Sequence, residues 1–416
     1  MNGKKILMVA YHFPPMKGSS GLQRTLSFAN HLAADDWQVT VLSILPSAYE
    51  NVSEDQLGDI DSRITVIRAP GFDAERQLSI KGKYFRFTAM PDRWGTWALL
   101  GPLWARWKAR NSRPDLVWST YPIATAHKVG ARLARWFGVP HVVDFRDQMV
   151  EGDYYPSDPD QYTAYLKIEQ DVVRRAALCV FTAPGTLAMY RERYPQLDER
   201  NSTLIENGFD GRYAAALPPA KPLSTEPVRL LHSGIVYPQE RDPTALFDAL
   251  AELWQEGEKG IQLTLRAPGN EALFKQMVAE RELEACVEIA PTIAYAAALE
   301  EMLDGRVLLV LQAASCNHQI PAKLYEYLSS GQPIMALTPP ESDTATVVRS
   351  SGCPYIADLS DRAAIKQALL RLISDARSNA LVFGSRADAD QYDRKHRAVE
   401  LNRRLRQLLE ARVTQD

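Results

Sequence analysis

Residues 318–337 read HQIPAKLYEYLSSGQPIMAL. Pro321 suits the first turn of a helix, Gly331 suits its end, and Pro333–Leu337 is a short apolar strand. The run Val307–Leu311, VLLVL, is a second strand just upstream. Lys323 and Glu326 lie three apart and share one helical face. A helix opening after the strand offers backbone N–H groups and a positive dipole end to a phosphate, and Glu326 one turn on can accept two hydrogen bonds from a ribose diol. The stretch therefore suits a nucleoside diphosphate. A surface helix with an i,i+3 ion pair uses the same residue types, and both readings stand on these residues alone.

Two further segments favour the ligand reading. In His232–Leu250, HSGIVYPQERDPTALFDAL, a strand end meets Gly234 and a loop. Arg241 follows, just before a helix whose N-cap is expected at Asp242 and first turn at Pro243. A permanent cation there would stabilise charge on a leaving group; a solvated loop arginine is the plainer alternative. In Leu204–Asp210, LIENGFD, Asn207-Gly208 marks a tight turn after a strand.

Outward from these segments, short apolar strands alternate with longer amphipathic runs. Strands are expected at Lys5–Tyr11, Gln38–Leu45, Ile64–Ala69, Leu116–Thr120, His141–Phe145, Leu178–Thr182 and Leu204–Ile205, with helices at Gly21–Ala34, Ile123–Phe137 and Asp160–Ala176. The stretch Tyr213–Pro227 is rich in Pro and Ala and lacks periodicity, so it reads as a linker. The rhythm restarts with strands near Val228–His232, Gln262–Arg266, Val287–Ile289, Val307–Leu311, Pro333–Leu337 and Tyr355–Ala357. This is the α/β signature of two successive doubly wound domains, with a ligand site expected in a cleft between them. The boundaries read as 1–212, a linker 213–227 and 228–389. From Asp388 to Arg412 the pattern predicts one long helix with Leu401, Leu405, Leu408 and Leu409 on a stripe.

The chain's 416 residues carry 48 Lys+Arg against 51 Asp+Glu, and 46% are hydrophobic. This is the composition of a globular protein and excludes disorder, collagen-like repeats or a rod as the main architecture. The near-neutral balance argues against a dedicated nucleic-acid binder. Four scattered cysteines (Cys179, Cys286, Cys316, Cys353) form no CxxC pair, so they read as reduced thiols of a cytoplasmic protein. The apolar run at Ile6–Tyr11 is too short for a signal peptide, and no stretch approaches the roughly 20 apolar residues that cross a bilayer.

Gly234 to Arg241, Asn207-Gly208-Phe209-Asp210 and Pro321-x-Lys-x-x-Glu-Tyr-Leu-x-x-Gly-x-Pro together resemble the retaining glycosyltransferases of the GT-B fold, glycosyltransferase family 4-like. YHFPPMKGSSGLQRTLSFANHLA resembles that family's first strand, Gly-rich loop and helix, and PDLVWSTYP and VPHVVDFRDQ resemble later strands of its acceptor domain. The resemblance implies two Rossmann-like domains, with a C-terminal helix at about 390–416 returning to the first. It also implies sugar transfer from a nucleotide-diphosphate donor to a hydroxyl acceptor, possible lipid linkage of that acceptor, and a role in bacterial surface polysaccharide or glycolipid assembly. Glu326 matches the second Glu of an E-x7-E signature and would bind the ribose. The first Glu is replaced by His318, which puts donor identity in question. Arg241 matches a basic residue for the diphosphate, while the residue after Gly234, often Arg, is Ile235. Lys323 would assist Arg241. Gly18, Gly21, Gly234, Ala322 and Leu324 fall on the donor side. Arg146 and Asp147, at the end of a strand where α/β proteins bind ligands, are further catalytic candidates, and the family's usual His is missing there. His12, Thr120 and Asp144 fall on the acceptor side; a structural Asp–Arg pair or a structural His explains the same residues.

No cofactor or metal is expected. The strings Asp59-Ile60-Asp61, Asp158-Pro159-Asp160 and Asp388-Ala389-Asp390 read as loop or helix-start acids. Between Lys81 and Arg113 there are eight basic residues, the single acid Asp92, and Trp94, Trp97, Trp104 and Trp107. Interleaved Trp and cations suit a peripheral contact with anionic lipid at the inner membrane; a helix with Trp on the sheet and cations in water is the alternative. A GT-B sugar-nucleotide epimerase, or a silent nucleotide-sugar-binding subunit, are the rival functions.

Overall fold

A computed structural model of the chain describes residues 3–17, 20–110, 112–150, 158–216, 218–238 and 241–413. They form two compact units, Met1–Asn207 with Arg394–Asp416, and Gly208–Asp393.

The first unit holds a seven-stranded sheet: β1 (Lys5–Val9), β2 (Gln38–Ile44), β3 (Thr65–Ala69), β4 (Leu116–Thr120), β5 (His141–Arg146), β6 (Leu178–Phe181) and β7 (Ser202–Leu204). Its order is β3-β2-β1-β4-β5-β6-β7, and every pairing is parallel. Successive residues of a strand point to opposite faces, and both faces are covered. Ile6 and Met8 pack in one apolar cluster with Leu22, Leu26 and Phe28 of helix Ser20–Ala34. Leu7 and Val9 pack in another with Trp97 and Leu133.

The second unit holds β8 (Val228–Ser233), β9 (Ile261–Arg266), β10 (Val287–Ala290), β11 (Val307–Leu311), β12 (Ile334–Leu337) and β13 (Tyr355–Ala357). This sheet is also parallel, in the order β10-β9-β8-β11-β12-β13. Leu230, Leu263 and Leu309 pack there with Phe247 and Leu369 from the covering helices. In each sheet the strand order reverses beside the first strand of the unit, which brings strand C-termini and helix starts to one edge as the place for a ligand.

Two expected elements differ. The linker expected from Tyr213 instead opens with a short helix, Gly211–Ala216, and the irregular stretch comes after it. The long helix expected from Asp388 is interrupted. A turn of helix at Arg386–Ala389 and a 3-10 turn at Asp390–Tyr392 end at Asp393, whose extended backbone (φ −59°, ψ 131°) cannot continue a helix. The final helix is Arg394–Val413.

That final helix is part of the first unit's core. Leu401 and Leu405 are wholly buried in the cluster that contains Leu22 and Leu26. Trp37 donates its indole N–H to Asn402 Oδ1 at 2.8 Å. Leu405→Ala is expected to destabilise the protein by about 2–5 kcal/mol, the range for truncating a buried leucine. Denaturant unfolding followed by circular dichroism measures it, and an unchanged midpoint would mean that the helix is dispensable to the core.

Candidate active site

In the second unit, β8 ends at His232 and Ser233. The Ser233 N–H donates to the Tyr327 hydroxyl at 3.1 Å, and the Gly234 N–H donates to the Arg266 carbonyl at 2.8 Å. Gly234 turns the chain with φ +108°, and a Cβ there would stand 3.2 Å from Lys323 Nζ. The positive φ favours glycine, and a side chain there would also crowd the lysine. The loop then carries Ile235 and Tyr237 to Arg241. Arg241 Nη1 donates to the Ile235 carbonyl at 2.8 Å, and its guanidinium lies 5.4 Å from the centre of the Tyr237 ring. Helix Thr244–Gln255 starts one residue later than expected, with Pro243 at its N-cap, while Asp242 accepts from the Thr244 N–H at 3.0 Å.

Helix Ala322–Ser330 faces this loop. Pro321 is its N-cap, and Gly331 closes it in the left-handed region, with φ 71°. Lys323 lies in the first turn, and its Nζ sits 2.9 Å from His232 Nε2. The other ring nitrogen, Nδ1, is 2.9 Å from the Leu309 carbonyl and must donate to it, so Nε2 accepts from the lysine. Loss of water pulls Lys323 well below the usual lysine range; Arg241 adds to this and Glu326 opposes it. Burial, then Lys323, likewise keeps His232 neutral. One turn on, Glu326 Oε1 accepts from the Tyr295 hydroxyl at 2.8 Å. Ala322 is half-buried at the helix start. Leu324 is wholly buried, and its N–H donates to the Pro321 carbonyl at 2.9 Å, so it serves the core. His318 is exposed in a turn ahead of the helix.

The first unit brings together a different set. Gly21 opens helix Ser20–Ala34 against Arg146 and His12. A Cβ at Gly21 would overlap Arg146 Nη1 and stand 2.8 Å from His12 Nδ1. Burial and then Arg146 pull His12 down to about 3, so it is a neutral ring at physiological pH. Arg146 has a left-handed backbone (φ 55°), and the β5–β6 register shifts between Asp144 and Arg146. Such an irregularity re-aims a side chain at a strand end. Its Nη1 donates to the Tyr121 carbonyl at 3.1 Å, and its carbonyl accepts from the Thr182 hydroxyl. Asp147, half-buried, follows it.

Asp144 and Thr120, expected near an acceptor, belong to a buried ion pair. Arg24 Nε and Nη2 reach the two Asp144 oxygens at 3.0 Å each, and Thr120 Oγ1 donates to Oδ2 at 3.0 Å. Gly18 lies outside the described residues. Among the described residues no three His, Cys, Asp or Glu side chains converge as a metal site. Asp158 caps helix Pro159–Arg175 and pairs with Arg86, and Asp61 pairs with Arg63 at 2.6 Å.

Residues 21–208 match the family model described as a glycosyl transferase 4-like domain. Solved structures match over nearly the whole length. Sucrose-phosphate synthase from Thermosynechococcus elongatus is 15% identical, with 98% of this chain and 100% of that chain covered and a TM-score of 0.73. HepE of Anabaena, in complex with UDP and glucose, is 14% identical, with 97% and 100% covered and a TM-score of 0.67. WaaG, a glycosyltransferase involved in lipopolysaccharide biosynthesis, is 14% identical, with 95% and 98% covered and a TM-score of 0.60. No curated protein matches the chain. Residues 21–208 are thus similar to a glycosyl transferase 4-like domain, and the chain has the GT-B fold.

The matched segment contains Gly21, Thr120, Asp144, Arg146 and Asp147; His12 lies just before it and the Arg241, Lys323 and Glu326 set well after it. Three partners escaped the sequence reading. Arg24, one turn after Gly21, is the mate of Asp144. His232 sits at a strand's C-terminal end, a position that invites attention, yet its tie to Lys323 spans 91 residues. Tyr295 carries no local sign of its bond to Glu326. Asp144→Asn is expected to lower stability by about 3–5 kcal/mol, because it leaves the Arg24 charge buried and unmatched. Equilibrium unfolding tests this, and a change confined to catalysis would argue for an acceptor-side role instead.

Proposed function

We propose that the chain is a glycosyltransferase that moves a sugar from a nucleotide-diphosphate donor to a hydroxyl acceptor with retention of configuration. The observation that carries this reading is the set in the second unit, with Arg241 and Lys323 beside the turn at Gly234 and Glu326 one helical turn beyond. A diphosphate beside Lys323 supplies the negative charge that burial withholds, so donor binding favours its protonated form. His232 holds Nζ in place through Nε2. Arg241 and Lys323 then stabilise charge as it grows on the departing diphosphate, together with the positive end of helix Ala322–Ser330. Glu326 accepts the ribose hydroxyls, for which Tyr295 must give way or share the carboxylate.

Retention in this reading needs no enzymic nucleophile, since the donor phosphate can take the acceptor proton. In the first unit, His12 is kept as the acceptor-side residue, Gly21 on the donor side, and Arg146 and Asp147 as catalytic candidates. Neutral His12 can exchange one hydrogen bond with a hydroxyl group. The setting proposed is bacterial surface polysaccharide or glycolipid assembly, with a lipid-linked acceptor at the cytoplasmic face of the membrane. No helix among the described residues is long and apolar enough to cross one. UDP bound in the HepE structure makes UDP the first nucleotide to try. Thermal shift with UDP, GDP and ADP ranks the bases.

Glu326→Ala is expected to raise the donor dissociation constant by roughly ten- to a hundredfold, the worth of a charged hydrogen bond of about 1.5–3 kcal/mol. Titration calorimetry reads it, and unchanged affinity in a folded variant removes the helix from the donor site.

Arg241→Ala is expected to lower kcat more than donor affinity, because the charge that it meets grows during bond cleavage. Activity should survive EDTA. A strict need for Mg²⁺ or Mn²⁺ would overturn the proposed division of labour, and donor binding with no transfer or hydrolysis would favour a silent binding subunit.

A further inference from the structure

The helix Trp97–Lys108, WALLGPLWARWK, is apolar on two sides. One stripe, Trp97, Ala98, Gly101, Pro102 and Ala105, is buried. The other is Leu99, Leu100, Leu103, Trp104 and Trp107, exposed by 61, 37, 56, 37 and 51%. Those five follow helical spacing, so they form one continuous face at positions where a water-facing helix carries polar residues. The four tryptophans expected to act together therefore divide. Trp97 is core, Trp94 packs against it, and Trp104 and Trp107 stand outside with their rings 5.2 Å apart. Leu100, Leu103, Trp104 and Trp107, with Pro70, line a shallow hollow of about 300 Å³.

The charge beside this face has one sign. Lys108 Nζ lies 4.6 Å from the centre of the Trp107 ring and 5.7 Å from that of Trp104, and Arg110 lies 5.7 Å from Trp107. Arg106 and Arg132 flank Trp136 at 5.3 and 4.5 Å. The helix contains no acid. Among the described residues, none of these four cations pairs with a carboxylate.

We propose that this face docks the protein on an anionic lipid bilayer. Leu99, Leu100 and Leu103 enter the acyl boundary, Trp104 and Trp107 sit at headgroup level, and Lys108, Arg110 and Arg106 meet lipid phosphates. Charge complementarity selects this occupant. A second copy of the chain would bring the same uncompensated cations to the interface, whereas an anionic surface neutralises them. The inference rests on the membrane-facing part of the proposed function and is independent of the transfer chemistry.

Co-sedimentation of the full chain with vesicles tests it, using phosphatidylcholine alone and phosphatidylcholine mixed with phosphatidylglycerol. Binding is expected only with the anionic vesicles, weakening in high salt. Two double variants at exposed positions, Leu103→Gln with Trp107→Gln and Lys108→Glu with Arg110→Glu, are each expected to reduce it by about tenfold or more. Both should keep wild-type circular dichroism and wild-type transfer to a soluble acceptor. Wild type that ignores anionic vesicles at low salt, equal binding to neutral vesicles, or variants that bind like wild type would each overturn the proposal. A concentration-dependent dimer lost in the first variant, without vesicle binding, would assign the face to self-association. Vesicle binding in a protein that transfers no sugar keeps the surface and removes the transfer reading; transfer without vesicle binding does the reverse.

Discussion

The buried Arg24–Asp144 pair is the constraint on which the first unit depends. Arg24 is 3% exposed and Asp144 is wholly buried, and two charges leave water at a cost of several kcal/mol each unless their hydrogen bonds are complete. Here the guanidinium fork meets both carboxylate oxygens at 3.0 Å, and further contacts run to the carbonyls of Ile205 and Glu206 at 2.9 and 2.8 Å. Thr120 adds a third donor to the carboxylate. One ion pair thus joins helix Ser20–Ala34, β4, β5 and the chain after β7. Its geometry fixes the end of β5, and two residues later the strand departs from its register at Arg146. Gly21 lies one turn before Arg24 on the same helix, where an added Cβ would overlap Arg146 Nη1 unless that side chain moved.

Much of this architecture was legible because strands of a parallel sheet are buried on both faces and leave near-continuous apolar runs. VLLVL at Val307–Leu311 became β11 with the same ends, and the Pro321 and Gly331 signals bracket a helix at Ala322–Ser330. Breaks without Pro or Gly were not legible. Asp393 is of a helix-capping type, but the helical pattern runs on across it without Pro or Gly, and the helix at Gly211–Ala216 sits in a stretch whose composition suits a linker.

The candidate site was legible to the extent that its chemistry is local. Lys323 and Glu326 share a face because three residues of helix put them there, and Gly234 is marked by the end of a strand. Their partners come from far along the chain. Arg24 reads as a solvated helix cation until Asp144, 120 residues away, is placed beside it. His232 and Tyr295 gain meaning only through Lys323 and Glu326. Asp144 and Thr120 show the converse case. A carboxylate and a hydroxyl at strand ends look like ligand groups, yet Asp144 is paired with Arg24 and Thr120 donates to Asp144.

The two units apply the same strand-end geometry to opposite electrostatic states. In the first, Asp144 already has its counter-charge, and His12 is neutral beside Arg146. In the second, Lys323 is held by a neutral imidazole, and burial together with Arg241 depresses its proton affinity. Burial disfavours the charged form of a lysine held that way, and a nearby anion favours it. Glu326 opposes the depression, so the carboxylate proposed for the ribose also keeps Lys323 closer to its charged form. The groups proposed for the ribose and the diphosphate are thus electrostatically linked along one helix.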